Sequence, residues 1–206
     1  MRGRKRRNTS TRRRNSRAMI LVLNAGSPQV QSIADIVDNE MDVRIVPILD
    51  AKKEDFEGIK GIIISNGSLS VSAMDTTLYL EKVAMCVEAN VPILGISLGH
   101  QLLGMHFGSQ ASMMKHDSGW QVIEAFEESI LFERLPQEVE MMKNHYETIS
   151  IPAGFKLIAA SDACVNETMQ HESKPYFGVQ FQPEISGNHG AILIENFVFF
   201  CIRHQS

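Results

Sequence analysis

No apolar run in this chain approaches the roughly 20 residues that a membrane-spanning helix needs, so such a helix is excluded at the outset. Cysteine is scarce. Cys86, Cys164 and Cys201 are far apart, odd in number and without metal-type spacing, which speaks against a disulfide framework or a zinc site. They read as reduced, mostly buried thiols of an intracellular, cytoplasmic protein. There is no internal repeat, and no linker beyond the N-terminal arm. Acidic residues are missing from positions 1–18, which hold nine of the twenty Lys and Arg.

That missing acid makes the modest net charge of −4 misleading, because the arm carries +9 and the remainder −13. An arm of this composition cannot bury apolar surface and is expected to be disordered. It reads either as a leader upstream of the real domain, with Met19 opening the first strand, or as a targeting or nucleic-acid-binding tail. Residues 19–206 are long enough for one domain with a sizeable core, and the chain's 44% hydrophobic content is that of a globular protein.

Within that domain the first half alternates strand and helix. Met19–Leu23 is a short apolar run broken by Asn24-Ala25-Gly26-Ser27-Pro28, after which Val30, Ile33, Ala34 and Val37 recur at helical spacing. Val43–Ile48 and Gly61–Ser65 give two more strands, and Asp75 can cap a helix presenting Leu80, Val83, Ala84 and Val87 on one face. Val91–Ile96 follows. This alternation predicts an α/β fold with an open, mostly parallel, flavodoxin-like sheet flanked by helices, with sites gathered at the carboxyl ends of its strands. After a helix at about 98–107 the rhythm changes to short β segments at 109–114, 120–126, 138–143, 155–161, 165–171 and 176–181. An additional small antiparallel portion is expected there, with turns at Asp117-Ser118-Gly119, Pro152-Ala153-Gly154 and Ser173-Lys174-Pro175. A last helix places Leu193, Phe197, Phe200 and Cys201 on a core face.

The stretch Gly95-Ile96-Ser97-Leu98-Gly99 has the form of a strand-to-helix elbow. Such a turn holds its middle residue in a strained conformation, and the flanking glycines allow the backbone to pack closely. Ser97 is then displayed at a helix start, where the Leu98 N–H has no partner within the helix and could stabilise a developing oxyanion.

The longer run Pro92–Gln101 resembles the nucleophile turn of triad-type (class I) glutamine amidotransferases, which read Pro-Ile-Leu-Gly-Ile-Cys-Leu-Gly-His-Gln. Four further segments resemble the glutaminase subunit of archaeal-type GMP synthetase, in that order: Asn144-His145-Tyr146-Glu147, Ala159–Cys164, Met169-Gln170-His171 and Tyr176–Glu184. The likeness covers roughly residues 19–203. It implies a triad of cysteine nucleophile, histidine base and orienting glutamate, whose positions are here Ser97, Gln182 and Glu184. It also implies a glutamine pocket involving Gly67, Leu98, Gln101, Asn144 and His145.

Two of the three triad positions are thus changed. A serine hydroxyl needs a base more than a thiol does, and Gln182 is a neutral amide that takes up no proton at physiological pH. The loop that reads Gly-Gly-Pro in relatives is Asn66-Gly67-Ser68, keeping only the middle glycine, and the first-strand loop has Ala25-Gly26-Ser27-Pro28 in place of a Gly-Gly-Gln type turn. Gln101 is retained, while Asn144 stands where the family has serine. Among the other histidines, His100 reads as a polar residue buried against the sheet and His189 as a solvated helix-end residue, although its position makes it the best substitute base. His145 and His171 read as packing or surface residues, and no two histidines show metal-ligand spacing.

The sequence therefore predicts a glutamine amidotransferase-like protein, defective in glutamine hydrolysis, that acts as a pseudo-subunit or regulatory partner. The partner implied by the resemblance is an ATP-pyrophosphatase (GMP synthetase) subunit, and the pocket ligand, if the pocket persists, glutamine or a related small molecule. No cofactor or metal is expected, and nucleic acid only through the arm. Two alternatives stay open. One is an active glutaminase supplying ammonia for amination of XMP to GMP, with Glu184 acting through water. The other is a serine hydrolase using Ser97 with a relocated histidine.

Overall fold

The computed structural model describes residues 18–204, so the expected disordered arm lies outside the described residues except for its last position. The first half follows the alternation read from the sequence: β1 (Met19–Asn24), α1 (Val30–Asp38), β2 (Asp42–Pro47), β3 (Ile59–Ile64), α2 (Thr77–Glu88), β4 (Ile93–Ile96) and α3 (Leu98–His106). The second half contributes β5 (Ala111–Ala125), β6 (Glu138–Ile149), β7 (Phe155–Ala160), β8 (Thr168–His171), β9 (Tyr176–Val179) and α4 (Gly187–Arg203). The N-cap of α2 is Thr76; Asp75, the expected cap, lies one residue ahead of it, its Oδ1 accepting from the Thr77 N–H at 2.9 Å and the Thr77 hydroxyl at 2.6 Å.

Among the described residues the strands form one sheet in the order β2-β1-β3-β4-β9-β8-β7-β5-β6. The run from β2 to β9 is parallel, and from β9 through β8, β7 and β5 to β6 every pairing is antiparallel. The antiparallel portion anticipated for the second half is therefore a continuation of the parallel sheet, joined through β9. Central parallel strands are covered on both sides, which is why they read as unbroken apolar runs. Ile20, Val22, Ile63, Leu94 and Val179 pack with α1 and α4 on one face, and Leu21, Leu23, Ile62, Ile64 and Ile93 with α2 and α3 on the other.

One expectation needs correction. The segments at 109–114 and 120–126 belong to a single long strand, and Asp117-Ser118-Gly119 is not a turn. It pairs with His145, Asn144 and Lys143 of β6, after a register irregularity between Met113 and Asp117. A long-range partner outweighs turn composition here, since the Asp117 carboxylate is buried against Lys143. Strand β6 likewise runs to Ile149, so Asn144 and His145 lie on a strand.

The three cysteines are free and buried. No helix among the described residues is long and apolar enough to cross a membrane.

Candidate active site

The loops after β1, β3 and β4 meet at the carboxyl edge of the parallel strands, where β1 lies between β2 and β3 and the chain order reverses. Ligand crevices open at such switch points. Here the crevice is a cleft of about 820 Å³, with Gly67, Ser97, Leu98, Gln101, His145 and Gln182 among its lining residues.

Ser97 forms the elbow. Its φ of +50° and ψ of −103° lie outside the regions a serine ordinarily adopts, a strain that persists only where surrounding packing enforces it. The packing is explicit. A Cβ on Gly95 would stand 2.5 Å from the Gly99 carbonyl oxygen, and one on Gly99 would stand 2.1 Å from that of Ile64. The turn is pinned further by the Ser97 N–H, which donates to Val179 O at 2.8 Å, and by the Gln101 N–H, which donates to Ser97 O at 3.0 Å.

The serine side chain is buried and faces an amide. Gln180 Nε2 lies 3.5 Å from Ser97 Oγ and donates to it, and Gln180 Oε1 accepts from Gln101 Nε2 at 3.1 Å. Gln101 Nε2 also donates to the Glu147 carbonyl at 3.1 Å, the oxygen that His145 Nδ1 meets at 2.9 Å. A carbonyl only accepts, so Nδ1 carries the His145 ring hydrogen. A continuous buried chain of amides thus runs from the elbow to His145, and none of its members is a base for Ser97.

Gln182 and Glu184 sit on the turn before α4, and both are buried. The Gln182 backbone is fixed by its N–H on Met142 O at 2.9 Å and by its carbonyl accepting from the Ser186 hydroxyl at 2.6 Å. Neither carboxyl oxygen of Glu184 has a hydrogen-bond partner in another described residue. Burial pushes its pKa up to about 7, so near neutral pH a large share is the uncharged acid.

Other histidines fall out as the sequence indicates. His100 is fully buried against Gly178 of β9, and burial pulls its pKa down to about 3, so it is a neutral packing residue. His189 is exposed and is not part of the cleft. His171 packs edge-on to Phe107, Phe155 and Tyr176, its Nδ1 accepting from the Ser173 and Lys174 N–H groups at 3.1 Å. Asn144 is exposed, its Oδ1 2.9 Å from His116 Nε2.

Two arrangements escape a reading of the sequence. The Glu147 carboxylate holds the loop that leads to α2, accepting from the Ser70 hydroxyl at 2.9 Å, the Val71 N–H at 3.0 Å, the Ser72 N–H at 2.8 Å and the Ser72 hydroxyl. These donors outweigh burial and hold the carboxyl below its usual pKa. Behind the cleft, the Lys143 ammonium is completely enclosed between the Asp117 and Glu167 carboxylates, with Ser161 Oγ 3.0 Å away. Burial opposes the lysine's charge, and the two carboxylates overcome it, Glu167 foremost. The period-2 pattern of β6 is the available signal, since it places Lys143, His145 and Glu147 on the buried face with Val139, Met141 and Ile149.

Asp117, His145 and Glu167 bring three ligand-type atoms within 4.8 Å of one another. The Lys143 ammonium contacts two of these groups, so a cation already neutralises the cluster.

A parallel sheet with a strained strand-turn-helix elbow at its carboxyl edge, and a Gln-Pro-Glu turn beside it, defines an amidotransferase-type α/β domain. Residues 21–201 match the family described as glutamine amidotransferase class-I, and the chain belongs to that family. It is 40% identical over 145 residues to the glutamine-hydrolyzing GMP synthase subunit of Thermococcus kodakarensis, covering 69% of this chain and 76% of the relative. With the corresponding protein of Methanococcus aeolicus it shares 32% identity over 193 residues, covering 89% and 97%. A crystal structure from Thermoplasma acidophilum, assigned to the same kind of GMP synthase subunit, superposes with a TM-score of 0.78 at 27% identity, covering 90% of this chain and 94% of that one. The chain is thus a class I glutamine amidotransferase similar to the glutamine-hydrolyzing subunit of GMP synthase.

Proposed function

We propose that this chain has kept the amidotransferase scaffold and lost glutamine hydrolysis, and that it serves as a pseudo-subunit. Its partner would be an ATP-pyrophosphatase synthetase subunit of purine biosynthesis in the cytoplasm, which it regulates or stabilises. The observation that carries this reading is the environment of Ser97 Oγ, which takes a hydrogen bond from the Gln180 amide and, among the described residues, donates to no acceptor.

Glutamine hydrolysis by this family's route needs attack on a carboxamide carbon, proton removal from the nucleophile and proton delivery to departing ammonia. Ser97 is displayed at the right turn, but its hydroxyl is a weak nucleophile without a base. Gln182 donates and accepts hydrogen bonds without changing charge. Glu184, which would orient a histidine at position 182, takes no hydrogen bond from another described residue. In a serine protease, loss of nucleophile or base alone costs on the order of 10⁶ in turnover, and loss of both adds little. The exposed position of His189 offers no relocated base for a serine hydrolase.

The experiment that tests this reading is the double reversion Ser97→Cys with Gln182→His. Glutaminase activity gained from a silent parent would place the loss at these two positions on an otherwise intact scaffold. A fully active parent would refute it.

A further inference from the structure

Building on the reading of the cleft as a former glutaminase site, we infer that Asn66 is a built-in occupant of the oxyanion position, so that the chemistry of the site is impaired at a third point besides Ser97 and Gln182.

The Leu98 N–H is the first donor of α3 beyond the elbow, and no carbonyl of its own helix can reach it. In the structure it donates to Asn66 Oδ1 at 3.4 Å. The side chain of Asn66 ends in a carboxamide, the same group that glutamine would present, and its oxygen sits where a substrate oxygen would take that hydrogen bond. An oxyanion donor helps only when it is free and aimed at the charge that develops.

The position of Asn66 is enforced by its neighbours. A Cβ on Gly67 would stand 2.1 Å from the Ala25 carbonyl oxygen and 2.8 Å from Leu98 Cδ2, so this loop is clamped between the β1 loop and the start of α3. Upstream, the Ser65 hydroxyl donates to the Asn66 carbonyl at 2.8 Å and accepts from the Ala25 N–H at 2.9 Å. With the backbone held on both sides, the side chain of residue 66 has the elbow N–H within reach. A glycine there would leave the N–H open. The 3.4 Å separation marks the bond as weak, so the carboxamide competes with a ligand oxygen without sealing the cleft.

Asn66 is therefore a positioning residue acting through Leu98. The first test needs no catalysis: amide hydrogen exchange at Leu98, followed by NMR in the full chain and in its Asn66→Gly and Asn66→Ala variants. Removing one weak hydrogen bond should speed Leu98 exchange about threefold to fivefold, with amides of β1 and β3 unchanged. The second test adds Asn66→Gly to the Ser97→Cys, Gln182→His background. Freeing the donor should raise kcat for glutamine by a similar factor, about threefold to fivefold, with KM within about twofold, because the developing oxyanion takes this hydrogen bond more strongly than the ground-state oxygen. Asn66→Asp, which keeps the acceptor, should give no gain.

Leu98 exchange that is the same in all three chains overturns the proposal. So does an unchanged kcat, or a gain confined to KM. Ammonia release by the unmodified chain would instead strike the loss of glutaminase chemistry, and the exchange result would still stand or fall by itself.

Discussion

Gln182 and Glu184 lie two positions apart on one buried turn, and the carboxyl of Glu184 takes no hydrogen bond from the Gln182 amide or from any other described residue. A carboxyl buried away from other donors is costly to ionise, and burial pushes this one up to about 7. The folded state therefore binds a proton that the unfolded chain, with an ordinary carboxyl, releases above about pH 4.5.

It follows that Glu184 lowers stability as pH rises from about 4.5 through 7, since the native state holds the extra proton over that window. Glu184→Gln should remove the dependence. We expect the variant and the parent to be nearly equal at about pH 4.5, and the variant to be more stable at about pH 8 by up to about 3 kcal/mol, one pKa unit being about 1.4 kcal/mol. Urea unfolding at the two pH values measures this.

Glu147 governs a loop from the opposite side of the cleft. Glu147→Ala deprives the Ser70, Val71 and Ser72 donors of their acceptor, and hydrogen bonds to a charged group contribute roughly 1.5–3 kcal/mol each at most. We expect a loss of about 2–4 kcal/mol, with amide exchange at Val71 and Ser72 faster by a larger factor than in β1.

The elbow can be probed through Gly99. An alanine there sets its methyl 2.1 Å from the Ile64 carbonyl oxygen, and backbone has no easy way to yield. Gly99→Ala should cost more than about 2 kcal/mol, in the upper range for overpacking a tight core. Thermal unfolding gives the value, with Gly108→Ala as a comparison, since nothing lies within 4 Å of a Cβ at that position and only its positive φ is strained.

Lys143 makes the sharpest packing prediction. Lys143→Met leaves the Asp117 and Glu167 carboxylates buried without their cation, at a cost of about 3–5 kcal/mol. Neutralising those acids as well, by Asp117→Asn and Glu167→Gln, should recover most of it in a multiple-mutant cycle read by urea unfolding.

These residues also mark how far the sequence can be read. The parallel strands are plain, because burial on both faces leaves runs such as Ile62-Ile63-Ile64 with no polar interruption. The elbow is plain as well, since its glycines are required at fixed positions around Ser97. Strand β5 reads as two because Asp117-Ser118-Gly119 has turn composition, and it takes the distant Lys143, with His145 beside it, to make a buried aspartate tolerable there. The roles of Asn66, Glu147 and Gln180 depend on contacts between segments far apart in the chain, and no local pattern encodes them. That the Glu184 carboxyl takes no hydrogen bond from another described residue follows from the packing alone.

The most direct measurement is ammonia release from glutamine by the unmodified, full-length chain, with and without an added ATP-pyrophosphatase subunit. With neither a thiol nor a base at the elbow, we expect turnover no more than roughly 10³–10⁴-fold above the uncatalysed reaction, what positioning and oxyanion contacts alone sustain. Turnover in the ordinary enzyme range, about 1–10³ s⁻¹, abolished by Ser97→Ala, would contradict the loss of glutaminase chemistry.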